Sequence, residues 1–286
     1  MKFMLQGEPV STMETEPRLA SMPDRHDNPA RPAKLSIRNL TVRFGDVLAL
    51  DNFSLDVPAG EFVSILGASG CGKSTMFNAV SGLLRATSGE VVLDGRDVSN
   101  RPGQVGYMLQ KDLLLPWRTV KGNIILAASL TSGATEKDRA EAAELARRYG
   151  LGDFLDHYPH ALSGGMRQRV ALMRTIAAGR QVMLLDEPFG ALDAQTRFSM
   201  QEWLLNVWRD LGRTILFVTH DVDEAIFLAD RIVVMTPRPG RIAEILRVEL
   251  PRPRSLENLT ADTFTALKRR IMARLYHDEH THGGNT

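Results

Sequence analysis

The stretch GASGCGKST, Gly67 to Thr75, matches the pattern G-x-x-x-x-G-K-[ST], and the chemistry such a loop can do is to hold polyphosphate. Gly67, Gly70 and Gly72 let the backbone curl so that its N–H groups turn inward, while Ala68, Ser69, Cys71 and Thr75 complete the cradle. Lys73 can reach the β- and γ-phosphates, and the Ser74 hydroxyl can ligate Mg²⁺. Cys71 has no second cysteine in the chain to pair with, so it reads as a small residue that fits the loop rather than a redox switch. Downstream, QVMLLDEP ends an apolar run in two acids. Asp186 at the run's end suits the metal, and Glu187, pointing differently, suits the base that takes a proton from water. Between these two stretches lies ALSGGMRQRV. Ser163 can cap a helix there, and Gly164 and Gly165 leave its first amides uncovered, which makes a second anion site. Met166, Val170, Met173 and Ala177 are expected to bury the opposite side of that helix. Two anion sites and one nucleotide per chain make sense if the second serves another chain's ATP. A head-to-tail pair would then sandwich two ATPs, each between Lys73 of one chain and Ser163 of the other.

These residues need elements to position them. LSIRNLTVRF alternates apolar and polar residues, turns at Gly45–Asp46 and continues in FSLDV, as an antiparallel layer should. EFVSILG is apolar throughout, like a buried strand, and a helix is expected from Ser74. EVVLDGRDV reads as a hairpin around Asp94–Gly95. Strand signals then vanish, and EKDRAEAAELARRYG reads as a helix ending at Gly150. After Ser163 helices alternate with the strands VMLLD, TILFVT and RIVVM, with one helix spanning 194–211. That alternation implies a largely parallel sheet, so the fold class is α/β with an antiparallel β layer in front and a helical insertion. A last helix, Ala261 to Tyr276, sets Phe264, Leu267, Ile271 and Leu275 on one face, and a polar tail bearing His277, His280 and His282 is expected to be disordered rather than a metal site. Lys268, Arg269, Arg270 and Arg274 read as that helix's solvated face.

Composition narrows the functional classes. Among 286 residues, 35 Lys and Arg meet 34 Asp and Glu, without the basic excess of a nucleic-acid binder. The one cysteine excludes an internal disulfide, and no apolar run reaches the roughly 18 residues of a membrane span. No signal-peptide pattern opens the chain, and residues 1–33, with five prolines among charged and small residues, are expected to form a disordered extension.

In its motifs and their order the sequence resembles the ATP-binding subunits of ABC transporters over about residues 34–250, with LSGGMRQR similar to that family's signature. The resemblance implies a P-loop NTPase core with the ABC ATPase fold, a helical insertion at about 111–165, and a C-terminal helical extension with polar tail over 251–286. It implies that Phe44 stacks on adenine, that Gln110 in VGYMLQKD contacts the metal and the γ-phosphate or its water, and that His220 after TILFVT is the switch histidine. Asp193 of GALD takes the place of the D-loop acid, with Gly190 where serine is frequent. It further implies a homodimer that closes on ATP and Mg²⁺ and opens after hydrolysis. Such a dimer lies at the cytoplasmic face of the inner membrane, without a span of its own, and works with permease subunits and a solute-binding protein. The apolar run Leu113, Leu114, Leu115 and Trp117 after Gln110 would lie under the permease, or in part belong to the core. LLLPWRTV, EPFGALDAQTR and VVMTPRPGRI are most like importers of the nitrate, sulfonate and taurine group, which includes carriers of bicarbonate and thiamine precursors. The alternative, a soluble ABC-type ATPase of DNA repair or translation, would call for long heptads between the loop and the signature, or for a second cassette; neither is present in this sequence.

Overall fold

The computed structural model describes residues 32–131 and 133–282. Apart from residues 32 and 33, the expected N-terminal extension lies outside the described residues, as does the end of the polar tail after residue 282.

Strands β1 (Ala33–Phe44) and β2 (Val47–Pro58) form a hairpin, with Phe44 paired to Val47 across the Gly45–Asp46 turn. β3 (Phe62–Leu66) leads into α1 (Lys73–Val80), followed by β4 (Ser88–Leu93), β5 (Arg96–Asp97) and β6 (Gly106–Met108). Helices α2 (Val120–Ile124), α3 (Leu126–Thr131), α4 (Glu136–Arg148) and α5 (Gly164–Ala177) come next. The chain then alternates through β7 (Val182–Asp186), α6 (Ala194–Leu211), β8 (Thr214–Val218), α7 (Val222–Leu228) and β9 (Arg231–Met235), before β10 (Ile242–Arg247) and α8 (Asp262–His282).

One sheet is antiparallel, in the order β2-β1-β4-β5; the other runs β10-β9-β3-β8-β7-β6 and is parallel except for the edge strand β10. β3, β7 and β8 are buried at every residue, because both faces of the parallel sheet are covered. Phe62, Leu66, Met183, Leu185 and Phe217 pack toward the helices α5 to α8. Val63, Ile65, Leu184, Leu216 and Val218 pack with α1 and the antiparallel sheet. The sheet is therefore a two-sided core whose strand ends are held rigidly, and those ends carry the site.

Three local expectations change. Ala177 is exposed: it falls in the last turn of α5, beyond the face on which Val170, Met173 and Ile176 are buried. The last helix runs through His282 rather than ending at Tyr276, since no glycine or proline interrupts it before Gly283. Its basic face is not merely solvated, as Lys268 pairs with Asp223 of α7 at 2.7 Å and Arg270 with Glu244 of β10 at 2.5 Å.

Candidate functional site

Helix α1 starts at Lys73, one residue before its expected start, with Gly72 as its cap in the left-handed region at φ 109°. No side chain caps this end, so the first amides of α1 remain available to an anion. Lys73 itself is buried, and its Nζ donates to the carbonyls of Gly67 at 2.7 Å and Ala68 at 3.0 Å. No carboxylate lies within ion-pair distance of it among the described residues: its direct contacts are these carbonyls and the Cys71 thiol, and the Asp186 carboxylate acts on it only from farther off. Phosphate oxygens are the partners such a charge lacks. Cys71 is buried against the same ammonium, with Sγ 3.9 Å from Nζ, and burial pushes its thiol up, away from reactivity.

The two acids diverge as their backbone does. Asp186 closes β7 and is buried; its carboxylate accepts from the hydroxyls of Ser74 and, at 3.4 Å, of Tyr107. Burial raises its carboxyl above the usual range, and its hydrogen-bond partners are neutral oxygens. A carboxylate and a hydroxyl held in this way are the donors a small hard cation takes when phosphate and water supply the rest. Glu187 has φ +43°, a left-handed backbone that turns its side chain off the line of the strand, while its N–H stays bonded to Val218. Its Oε2 accepts from Gln110 Nε2 at 3.0 Å and stands 3.4 Å from His220 Nδ1. Oε1 has no partner among the described residues. Gln110, Glu187 and His220 follow β6, β7 and β8, three neighbouring strands, and so meet at one edge of the sheet beside the loop that follows β3.

Between this trio and the β1–β2 turn lies a cavity of about 380 Å³ lined by Phe44, Val47, Ala49, Ser69, Gly70, Gly72, Lys73, Ser74, Thr75, Gln110, Glu187 and Arg238. Phe44 is 50% exposed, which argues against a core role for its ring. Gly67, Ala68, Cys71, Asp186 and His220 flank the cavity without lining it. Tyr107 and Arg238 escaped the sequence reading. Tyr107 sits on a strand of three residues, too short to show a period. Arg238 stands in VVMTPRPGRI, a stretch noted only for its likeness to other sequences.

Ser163, Gly164, Gly165 and Asp193 do not line the cavity of their own chain. Ser163 caps α5 by accepting from Met166 N at 3.3 Å. Asp193 caps α6 by accepting from Thr196 N at 3.0 Å, and that backbone N–H holds its carboxyl below the usual range. The two glycines differ. A Cβ on Gly165 would stand 2.9 Å from Thr196 Cγ2, so the approach of α6 excludes one. On Gly164 it would meet nothing nearer than 3.6 Å, so packing within this chain does not explain the missing side chain. In the run after Gln110, Leu114 joins the core, Leu115 is half-buried, and Leu113 and Trp117 are 50% and 71% exposed.

A family model described as ABC transporter matches residues 50–190. An uncharacterized ABC transporter ATP-binding protein of Methanocaldococcus jannaschii is 44% identical over 84% of this chain and 90% of its own length. The taurine import ATP-binding protein TauB of Rhizobium johnstonii is 46% identical over 70% of this chain and 77% of its own. Among solved structures, a dimeric post-hydrolysis state of the ATP-binding cassette MJ0796, bound to ADP and Pi, is similar with a TM-score of 0.63 and 30% identity, covering 76% of this chain and all of that one.

Proposed function

The chain belongs to the ABC transporter family as an ATP-binding, ATP-hydrolysing subunit, and from that premise we propose that it drives uptake of a small sulfonate-like solute of the taurine class through separate membrane subunits. The convergence of Gln110 and His220 on Glu187, which lines the cavity together with Lys73, is the observation that carries the catalytic part. Lys73 and the loop amides bind the polyphosphate, and Phe44 takes the adenine. Gln110 and His220 hold Oε2 of Glu187, so Oε1 is the atom that accepts the proton of the attacking water. Ser74 and Asp186, with Gln110, would hold Mg²⁺; when bound, the ion neutralises charge developing on the phosphate oxygens.

Ser163, Gly164, Gly165 and Asp193 act on the nucleotide of a second copy, a reading supported by the lack of any clash within this chain that would require glycine at Gly164. Leu113 and Trp117, exposed just after Gln110, form the surface that meets a permease subunit. Closing and opening of the homodimer at the inner face of the membrane then drives the permease, which a solute-binding protein loads. The likeness to TauB supports the solute class. The test is reconstitution with the membrane protein that co-purifies: ATP-dependent accumulation of labelled taurine is expected in proteoliposomes and is to be lost with Lys73→Ala. Accumulation of nitrate but not taurine would replace the solute class, and failure to co-purify with any integral-membrane protein would remove the transport role.

A further inference from the structure

The loop after β9 forms part of the cavity wall, and none of the roles above uses it. Thr236 to Arg241 is braced from several sides. The Thr236 hydroxyl donates to Pro239 O at 3.0 Å and accepts from Arg241 N at 3.0 Å. Gly240 N donates to Ala49 O at 2.9 Å, and Gly240 O accepts from Asp51 N at 3.1 Å, which stitches the loop to β2. Arg241 pairs with Asp51. A Cβ on Gly240 would collide with the Cys71 carbonyl, so the loop is wedged directly against the phosphate loop. This bracing presents Arg238, whose Nε and Nη2 donate to Gly70 O at 3.4 and 3.3 Å. No carboxylate lies within ion-pair distance of Arg238 among the described residues.

Sheet order says which end of the cavity this cation occupies. β8, β7 and β6, which carry His220, Glu187 and Gln110, lie on one side of β3; β9 lies on the other. The loop after β9 is bonded to β2, whose Val47 and Ala49 line the cavity with Phe44. Arg238 therefore stands away from the catalytic trio, at the end where Phe44 is exposed. A planar guanidinium there can lie on a purine face and donate to ribose or base acceptors. We propose that Arg238 is a nucleotide-contacting residue that closes the nucleoside end of the cavity together with Phe44 and does not touch the γ-phosphate. This rests on the reading of the cavity as an ATP site.

Calorimetric titration of the full chain with ADP and with ATP tests it. Because the nucleoside is common to both, Arg238→Ala is expected to weaken ADP and ATP by the same factor, about tenfold. Arg238→Lys, which keeps the charge but not the plane, should recover only part of that. If Arg238→Ala lowers the melting temperature without nucleotide, Arg238→Gln, which still reaches Gly70, takes its place, with the same equal loss expected. Unchanged affinity for both nucleotides would overturn the contact. A loss confined to ATP would also overturn it, since that places the guanidinium at the γ-phosphate or at an interface formed only with ATP. An unmodified chain that binds neither nucleotide would remove the ATP site itself and this contact with it, whereas normal binding by both chains removes only the contact.

Discussion

Glu187 combines a strained backbone with a carboxylate met by two side chains from neighbouring strands. A left-handed non-glycine residue costs of order 1 kcal/mol or more, and here it aims the side chain away from Asp186 and toward Gln110 and His220. Glu187→Gln should therefore keep ATP binding and lose about 10²–10⁴-fold in steady-state phosphate release, the usual effect of removing a general base. Turnover within a factor of a few of the unmodified chain would take the base role away. A second carboxylate, Glu224, lies just behind the site. It is buried, accepts from the hydroxyl of Thr219, the residue before His220, and accepts from Gln201 Nε2 at 3.1 Å. Burial raises its carboxyl to about 7, against which the bonds from Thr219 and Gln201 work only in part. The folded chain thus holds a proton that the unfolded chain, with its ordinary carboxyl near 4.5, has released. This stabilisation is complete below that ordinary value and is lost as pH rises through about 7. Denaturation midpoints measured across that window should fall more steeply for the unmodified chain than for Glu224→Gln, whose amide does not titrate. Parallel curves would show that the carboxyl does not titrate there.

At the scale of elements, the start of α5 separates packing from chemistry within two adjacent residues. Gly165→Val pushes into Thr196 of α6, and overpacking of this kind costs about 1–3 kcal/mol, so the melting temperature should drop. Gly164→Asp has room, and an acid in the first turn of a helix is favourable to its dipole, so the melting temperature should hold. Its new carboxylate would nevertheless face the partner's γ-phosphate across the interface. ATP-driven dimerisation, followed by gel filtration, should fail in Gly164→Asp while nucleotide binding by the single chain survives. Dimerisation at the unmodified level would overturn the shared-site reading. The helix after His220 is anchored from its far side. The buried Arg254 donates to the carbonyls of Ile226, Phe227 and Ala229 at the end of α7, and Lys268 of α8 pairs with Asp223 at its start. The segment after β10 thereby grips the helix that follows His220.

For the whole molecule the question is whether a site is made by one chain or two. Lys73→Ala should abolish tight ATP binding, since the loop's only charge directed at the phosphates is gone. Mixed with Gly164→Asp, it should recover part of the hydrolysis. In the mixed dimer one site joins an intact phosphate loop to an intact Ser163–Gly165 segment, and the other collects both defects. If each chain completed its own site, every site in the mixture would carry a defect and no activity would return. Crosslinking the mixed dimer in ATP alongside the rate measurement establishes that it is populated. A populated mixed dimer without any recovery would count against a sandwich with one working site.

What could be read along the chain is what depends on neighbours in sequence. The spacing of glycines and Lys73 between an apolar strand and a helix, the cap at Ser163, and the alternation that marks a covered parallel sheet all arise from local backbone geometry and period. The role proposed for Glu187 rests on its position after an apolar strand, whereas its contacts with Gln110 and His220 depend on strand order, which no local pattern encodes. β6 was invisible because three residues carry no period, and their pairing with β7 is what makes them a strand. Tyr107 meets Asp186 and Arg238 meets Gly70 only through the sheet, across 79 and 168 residues of chain. The division of the apolar run into a buried Leu114 and an exposed Trp117 was likewise decided by which side chain found the core once the helices had packed. Adjacent residues share a backbone and therefore a legible geometry. Residues far apart meet only after the burial of both faces of the sheet has chosen the order of its strands.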